Sequence, residues 1–278
     1  MYRKFFTDKY IANGYTFDEA ISEVDFLFDV LFNYTYKDFM LGKTLNEAQC
    51  EKVRKMIEER LQTHKPIQKI AGQAYFLSRK FFVDENTLVP RPETELLVDE
   101  ALKLCIGQKN VKILDIGTGT GCIPISLVLE NGNIIAEAID ISEAALETAR
   151  RNALYHNVYD KIKFYQSDLL DKAEGKFDII VSNPPYIPLK DKDELQIEVR
   201  DYDPALALFT KDEKGIEFYE KIIRQGKNYL NKNGKILFEL GKGQRDEVSK
   251  LFESNGFKVI KAIKDYNNID RVLIAEDI

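Results

Sequence analysis

Histidine and cysteine are scarce. The 278 residues hold two histidines, His64 and His156, and three cysteines, Cys50, Cys105 and Cys122. No Cys/His spacing suggests a zinc site. There is no nucleophile elbow and no phosphate-binding P-loop. The thiols are odd in number and far apart, which excludes a disulfide framework and points to reduced cysteines in a cytosolic protein. Positive charge is not in excess. The net charge is -6, which argues against a strong non-specific grip on nucleic acid, although a local basic patch stays open. Long apolar runs are missing: stretches such as "IPISLVL" are far too short to span a membrane. The opening "MYRKFFTDKYIANGY" is broken by charge every few residues and does not read as a signal peptide. Repeats and low-complexity segments are also absent.

What is present is ordinary globular material. Hydrophobic residues make up 44% and charged residues 31%, enough for one large domain or two modest ones and too apolar for wholesale disorder. The style changes near residue 70. Before it the signals are helical. Thr16 with Glu19 makes a capping box, followed by Ile21, Val24, Leu27, Phe28, Leu31 and Phe32 at helical spacing; Thr44 with Glu47 makes a second. Pro66 is expected to close that second helix. Residues 1–70 thus read as a small helical bundle whose aromatic stripe is core packing. Residues 71–90 contain "AYFLSRKFFVDENTLVP", read as a β-hairpin linker with its turn at "DEN". Residues 91–278 begin with a helix that has Pro92 in its first turn and Glu93 and Glu95 at its positive end. From residue 111 strands and helices alternate, which predicts a mainly parallel sheet with helices on both faces; the last two strands, with no helix between them, predict an antiparallel pair at one edge.

The loop Gly117-Thr118-Gly119-Thr120-Gly121 leaves the first strand of this sheet and enters a helix. Glycines there allow a tight turn and close approach of a ligand. Asp140 ends the next strand, about twenty residues on, where a carboxylate accepts hydrogen bonds from two ribose hydroxyls. A dinucleotide fingerprint wants its third glycine where Cys122 stands. The observed spacing is more usual for enzymes that use S-adenosylmethionine (SAM). Asp168 ends the third strand, placed for an adenine amino group or as a solvated turn residue. Asn183 ends the fourth, in "VSNPPY". These strand ends converge on the carboxyl edge of the sheet, where open α/β sheets bind ligands.

The prolines of "VSNPPY" hold Asn183 and Pro184 in stiff, extended geometry. The Asn183 amide oxygen and the Pro184 carbonyl offer two acceptors, which suits a planar NH2 group. Such nitrogens are poor nucleophiles because their lone pairs are delocalised. Fixing both N–H bonds positions the nitrogen toward a methyl donor, and Tyr186 can pack on the flat group. Neither histidine lies in these motifs. Two other readings compete: an amino-methyltransferase acting on adenine or guanine of RNA or DNA, which shares "NPPY", and a Rossmann protein that binds NAD or does no catalysis.

"DIGTGTGCIPISL" with "VSNPPYIP" resembles the class I SAM-dependent amino-methyltransferases. With "KPIQKIAGQAYF", "LVPRPETELLV", "DPALAL", "GIEFYEKII", "FELGKGQ" and "KDYNNIDRVLIAE" the chain resembles the release factor glutamine methyltransferase family, the HemK/PrmC type, over nearly its whole length. The resemblance implies a helical domain, a hairpin linker and a Rossmann-like catalytic domain with a seven-stranded sheet. It implies SAM as cofactor, S-adenosylhomocysteine as product, and the glutamine of the Gly-Gly-Gln motif of class I release factors as target. By residue, Gly117, Thr118, Gly119, Thr120, Gly121 and Asp140 would hold the methionine and ribose parts, with Asp168 and Leu169 flanking adenine. Asn183, Pro184, Pro185 and Tyr186 would hold the glutamine, with Asn183, Pro184 and Tyr186 as the catalytic set and Asn183 also touching the cofactor, and Arg91 and Glu93 would shape the cofactor entrance. The first domain would dock the release factor, and the protein would act as a cytoplasmic monomer without membrane or nucleic acid.

Overall fold

A computed structural model describes residues 2–278; position 1 of the expected helical segment lies outside the described residues. That segment folds as α1 (Tyr2–Ile11), α2 (Phe17–Phe32), α3 (Tyr36–Met40), α4 (Glu47–Thr63) and α5 (Ile67–Ala71). The Thr16 capping box forms: Thr16 Oγ1 accepts from the Glu19 amide at 3.3 Å, and Glu19 Oε2 accepts from the Thr16 amide at 2.9 Å. The second box is not the expected one. Asn46 caps α4, exchanging hydrogen bonds of 2.9 and 3.0 Å with Gln49, and Thr44 stays outside. Pro66 does not stop α4 either. The helix ends at Thr63 with His64 in the left-handed region (φ 60), and Pro66 opens α5. The apolar faces meet in a core around Phe6, Tyr10, Leu27, Phe28, Val53 and Ile57.

The rest of the chain runs β1 (Gln73–Phe76), β2 (Arg79–Phe82), α6 (Pro92–Leu104), β3 (Val111–Ile116), α7 (Cys122–Glu130), β4 (Ile134–Asp140), α8 (Glu143–Tyr155), β5 (Ile162–Gln166), β6 (Phe177–Ser182), β7 (Ile187–Pro188), α9 (Ile197–Tyr202), α10 (Ala205–Leu208), β8 (Phe209–Thr210), α11 (Glu217–Gly226), β9 (Leu230–Glu239), α12 (Arg245–Ser254), β10 (Phe257–Lys264) and β11 (Asp270–Asp277). Seven strands form one sheet in the order β10-β11-β9-β6-β3-β4-β5. The strands from β9 to β5 pair in parallel, and β11 runs antiparallel to both β9 and β10. The reversed strand is thus β11, one place in from the edge. Alternate residues of each strand feed opposite faces. Ile113 and Ile179 pack with α6 and α7, while Leu114, Ile180 and Phe238 pack with α11 and α12.

The hairpin turns at Leu77-Ser78, both at positive φ (46 and 59), and not at "DEN". Two residues of positive φ match the right-handed strand twist. Register decides this against local propensity. Pairing Ala74 with Phe81 puts Ala74, Phe76, Phe81 and Val83 on buried positions, and a one-residue slip would expose them. Asp84, Glu85 and Asn86 instead follow β2, where Asp84 Oδ1 accepts from the Asn86 amide at 2.9 Å. The hairpin is bolted to α8: Asn152 accepts from the Phe82 amide (2.7 Å) and donates to the Phe82 carbonyl (3.0 Å).

Residues 183–216 make an excursion between β6 and α11 that periodicity did not predict, since its elements are too short to show one. It carries α9, α10 and the small parallel pair β7–β8. The helical segment is fastened to it. Arg60 bridges Glu23 (3.1 Å) and Glu198 (3.2 Å), and Lys69 pairs with Asp203 at 3.0 Å with both side chains almost fully buried. Burial depresses the Lys69 pKa, partly offset by Asp203.

Phe28 is fully buried against Phe6 and Phe39. Phe28→Ala should lower stability by about 3–5 kcal/mol, read as a shift in the urea midpoint. An unchanged midpoint would show that this small core does not contribute to the measured transition.

Candidate functional site

The chain passes from β3 to β4 on one side and later sends β6 to the other side of β3. Loops leaving the carboxyl ends of β3 and β6 therefore diverge, and a crevice opens between them. A cavity of about 270 Å³ occupies it. The glycine loop forms its floor. Gly117 (φ 74) and Gly119 (φ 54) are left-handed, and a Cβ on either would meet nothing within 4 Å, so the backbone faces open space. The amides of Gly117 and Thr118 both donate to the Ile139 carbonyl, at 2.9 and 3.0 Å, which pins the loop to β4. Gly121 does not line the cavity. It is left-handed (φ 76), and its Cβ would sit 3.1 Å from Ala149 Cβ and Ile125 Cδ1. Its glycine lets α7 close on α8, and Asn152 of α8 donates to the Thr120 carbonyl at 2.9 Å behind the loop.

Asp140, Asp168, Leu169, Asn183, Pro184 and Pro185 all line this cavity with Gly117, Thr118, Gly119 and Thr120. Asp140 is held by the amides of Gly119 and Ser142, each at 2.9 Å and each on a different carboxylate oxygen. Burial raises its pKa, and those amides oppose the rise. Asp168 is exposed at the rim. Leu169 is left-handed (φ 45), held by Ser167 Oγ donating to its carbonyl at 2.8 Å.

Tyr186 lies outside that cavity and lines a second cleft of about 280 Å³ with Glu93, Gln196 and Arg271. Asn183 lines both spaces. Burial pushes the Tyr186 phenol up to about 12. Its carbonyl accepts from Gln244 Nε2 at 2.9 Å, and a Cβ at Gly241 would meet Tyr186 Cδ2 at 2.9 Å. The two carry-over expectations for the cavity mouth divide. Arg91 lines both spaces and pairs with Asp203 at 2.7 Å, whereas Glu93 lines only the second cleft because the first turn of α6 aims it away from the glycine loop.

Four residues here were not singled out from the sequence. Asp115 is fully buried beneath the glycine loop; neither of its oxygens nor Thr118 Oγ1 has a hydrogen-bond partner among the described residues. Burial pushes its carboxyl up to about 7. Thr94 and Glu239 back Asn183: Asn183 Nδ2 donates to Thr94 Oγ1 at 3.2 Å, which donates to Glu239 Oε2 at 2.6 Å. Burial pushes Glu239 up to about 7 as well, against the Thr94 hydrogen bond, the charge of Arg271 and a smaller interaction with the Asn183 amide itself. Gln244 holds Tyr186. A charged residue inside an apolar strand, as in "VKILDIG" and "GKILFELG", was a readable signal for Asp115 and Glu239. Thr94 and Gln244 carry no local one.

Between the ordinary carboxylate range and about pH 7 the folded protein keeps the Asp115 proton that the unfolded chain has lost, so stability falls as pH rises through that window. Asp115→Asn removes this dependence. Its stability relative to the parent should rise by on the order of 2–3 kcal/mol between pH 5 and pH 8, read by denaturant unfolding of the ligand-free proteins; a flat difference would refute the buried-acid assignment.

The methyltransferase small domain family model matches residues 92–199, from α6 into α9. The "bifunctional methyltransferase" of Rickettsia bellii is 38% identical over 258 residues, 83% of this chain but 46% of that protein. The chain therefore spans about half the length of such relatives. In fold it is similar to the crystal structure of the ribosomal protein L11 methylase from Lactobacillus delbrueckii subsp. bulgaricus, with a TM-score of 0.53 at 19% identity over 70% of this chain and 84% of that one. The release factor glutamine methyltransferase of Chlorobaculum tepidum is 42% identical over 248 residues, 86% of this chain and 82% of that protein. At that identity and coverage, with the seven-stranded sheet of a class I methyltransferase, the chain belongs to the release factor glutamine methyltransferase family.

Proposed function

We propose that this protein transfers a methyl group from SAM to the side-chain amide nitrogen of the glutamine in the Gly-Gly-Gln motif of a class I peptide chain release factor. The products are N5-methylglutamine and S-adenosylhomocysteine. The observation that carries the reading is the place of Asn183, on the wall between the glycine-loop cavity and the second cleft. A methyl donor in one space and an amide in the other would meet there.

The residues of the first cavity fit SAM. Gly117 and Gly119 leave room for a ligand against their backbone. Asp140 keeps free lone pairs for the ribose hydroxyls. Asp115 lies beneath the loop and does not line the cavity, so its carboxyl would act on a positively charged ligand only from behind the glycine backbone. Asp168 and Leu169, which line the same cavity, would flank the adenine. When bound, SAM supplies an electrophilic methyl group on a sulfonium.

The chain's own part is positioning. Among the described residues neither Asn183 Oδ1 nor the Pro184 carbonyl accepts a hydrogen bond. Both are left to take the two N–H bonds of the glutamine amide. Held so, the nitrogen has one direction for its lone pair and cannot rotate away. Tyr186, fixed by Gln244, offers a flat wall to the amide. One amide proton is released in the reaction. The helical segment would dock the factor, in a cytoplasmic protein that needs neither membrane nor nucleic acid and acts as a monomer; no helix among the described residues is long and apolar enough to cross a membrane.

The test is incubation with radiolabelled SAM and an unmodified release factor, beside a factor whose motif glutamine is replaced. Label on the glutamine form alone supports the reading. Label entering RNA or DNA and not the factor would move the activity to nucleic-acid amino groups. In the same assay Asn183→Ala should lower kcat by roughly 10²- to 10³-fold, the cost of losing one preorganised polar group at a reacting centre. SAM binding, measured by calorimetry, should change far less. A variant with normal turnover refutes the assigned role.

A further inference from the structure

Asn183 serves as an acceptor only if it turns oxygen, not nitrogen, toward the substrate. Its planar amide carries both, and a half-turn about the last bond exchanges them. Nothing within the residue makes the choice. The residues behind it do. Asn183 Nδ2 lies 3.2 Å from Thr94 Oγ1, and Thr94 Oγ1 lies 2.6 Å from Glu239 Oε2. A threonine hydroxyl has one proton. Once that proton is given to a carboxylate, which only accepts, the oxygen can only accept in turn. It therefore selects the NH2 side of Asn183 and leaves Oδ1 for the substrate.

Each member of this line is immobilised by a different element. Thr94 sits in the first turn of α6, buried. Glu239 ends β9, and its backbone carbonyl accepts from the Tyr219 hydroxyl of α11 at 2.9 Å. We propose that Thr94 and Glu239 are positioning residues for methyl transfer, a hydrogen-bonded relay that holds the Asn183 amide with its oxygen toward the nitrogen to be methylated. The inference rests on the reading of Asn183 given above. Thr94 lines the first cavity and Glu239 the second cleft, but the Thr94 hydroxyl is used on both sides, so the relay works without either residue bonding the substrate. Packing alone does not account for Glu239, because a deeply buried carboxylate is destabilising and an apolar side chain would fill the same space at lower cost.

The test separates orientation from bulk. At about pH 8, above the value of about 7 to which burial raises Glu239, Thr94→Val keeps the shape and removes the hydroxyl. kcat should fall roughly 10- to 100-fold, the loss expected for a hydrogen bond to a charged network, with SAM affinity measured by calorimetry unchanged. Glu239→Gln should also lower kcat, because an amide can turn either its oxygen or its NH2 toward Thr94 and no longer fixes where the threonine proton points. Thr94→Ser should recover most of the activity lost in Thr94→Val. In an Asn183→Ala background Thr94→Val should cost nothing further, since the two act as one unit.

One readout needs no turnover. The Asn183 side-chain amide resonance, assigned by its disappearance in Asn183→Ala, should exchange slowly with solvent in the parent and fast in Thr94→Val. Parental kcat in Thr94→Val, or an equal further loss in both backgrounds, overturns the relay. If the parent leaves the release factor unlabelled, the functional reading falls instead, and the exchange measurement still decides the orientation.

Discussion

The chain leaves β3 for β4 on one side and returns to place β6 on the other, and this divergence at one strand opens the space on which the site depends. Parallel strands bring their carboxyl ends to one edge. The loops after β3, β4, β5 and β6 therefore meet at one edge although they are far apart in sequence. The glycine loop, Asp140, Asp168 and Asn183 are neighbours for this reason alone. Helices on both faces bury the sheet, and the cavity is left only where two loops part.

Polar groups have been buried at that edge against the interest of stability. Asp115, next to last in β3, and Glu239, the last residue of β9, lie among the buried apolar residues of their strands, and burial raises both carboxyls to about 7. An isolated buried carboxylate is tolerated when it is neutral, hydrogen-bonded or matched by a ligand. Glu239 has a hydroxyl partner at 2.6 Å; Asp115 has the Thr118 hydroxyl nearby but no well-formed hydrogen bond among the described residues. The Thr118 hydroxyl eases the burial of Asp115 only in part.

The excursion after "NPPY" joins the site to the helical segment. Asp203 takes Arg91 from the cavity mouth and Lys69 from the end of the segment, while Glu198 takes Arg60. Lys69 and Asp203 are charged groups removed from water, and separating them would leave each uncompensated. The helical segment is thereby held against the wall of the site, not merely tethered through the hairpin. That hairpin is itself fixed by Asn152, which also reaches the Thr120 carbonyl, so linker and glycine loop share one side chain.

Much of this was legible in the residues. Alternating apolar strands and amphipathic helices announce the doubly wound sheet, because their periods differ. The Thr16 box and the stiff backbone of "NPPY" act through neighbours within a few positions, and the glycine loop meets Asp140 across one βαβ unit of fixed spacing, so local sequence carries them. What tertiary structure decided was every choice that depends on distant groups. Leu77 and Ser78 take a left-handed turn because burial of Phe76 and Phe81 sets the register, not because their own propensities favour it. Gly121 serves a helix contact with Ala149 and not the cavity. Thr94 meets Glu239 across 145 positions, a contact with no periodic or local signature. The sequence by itself determined the helices and strands of the large sheet and the motifs at its carboxyl edge. Only the folded chain decided which way their side chains face, since orientation is set by hydrogen-bond partners that the fold brings from elsewhere.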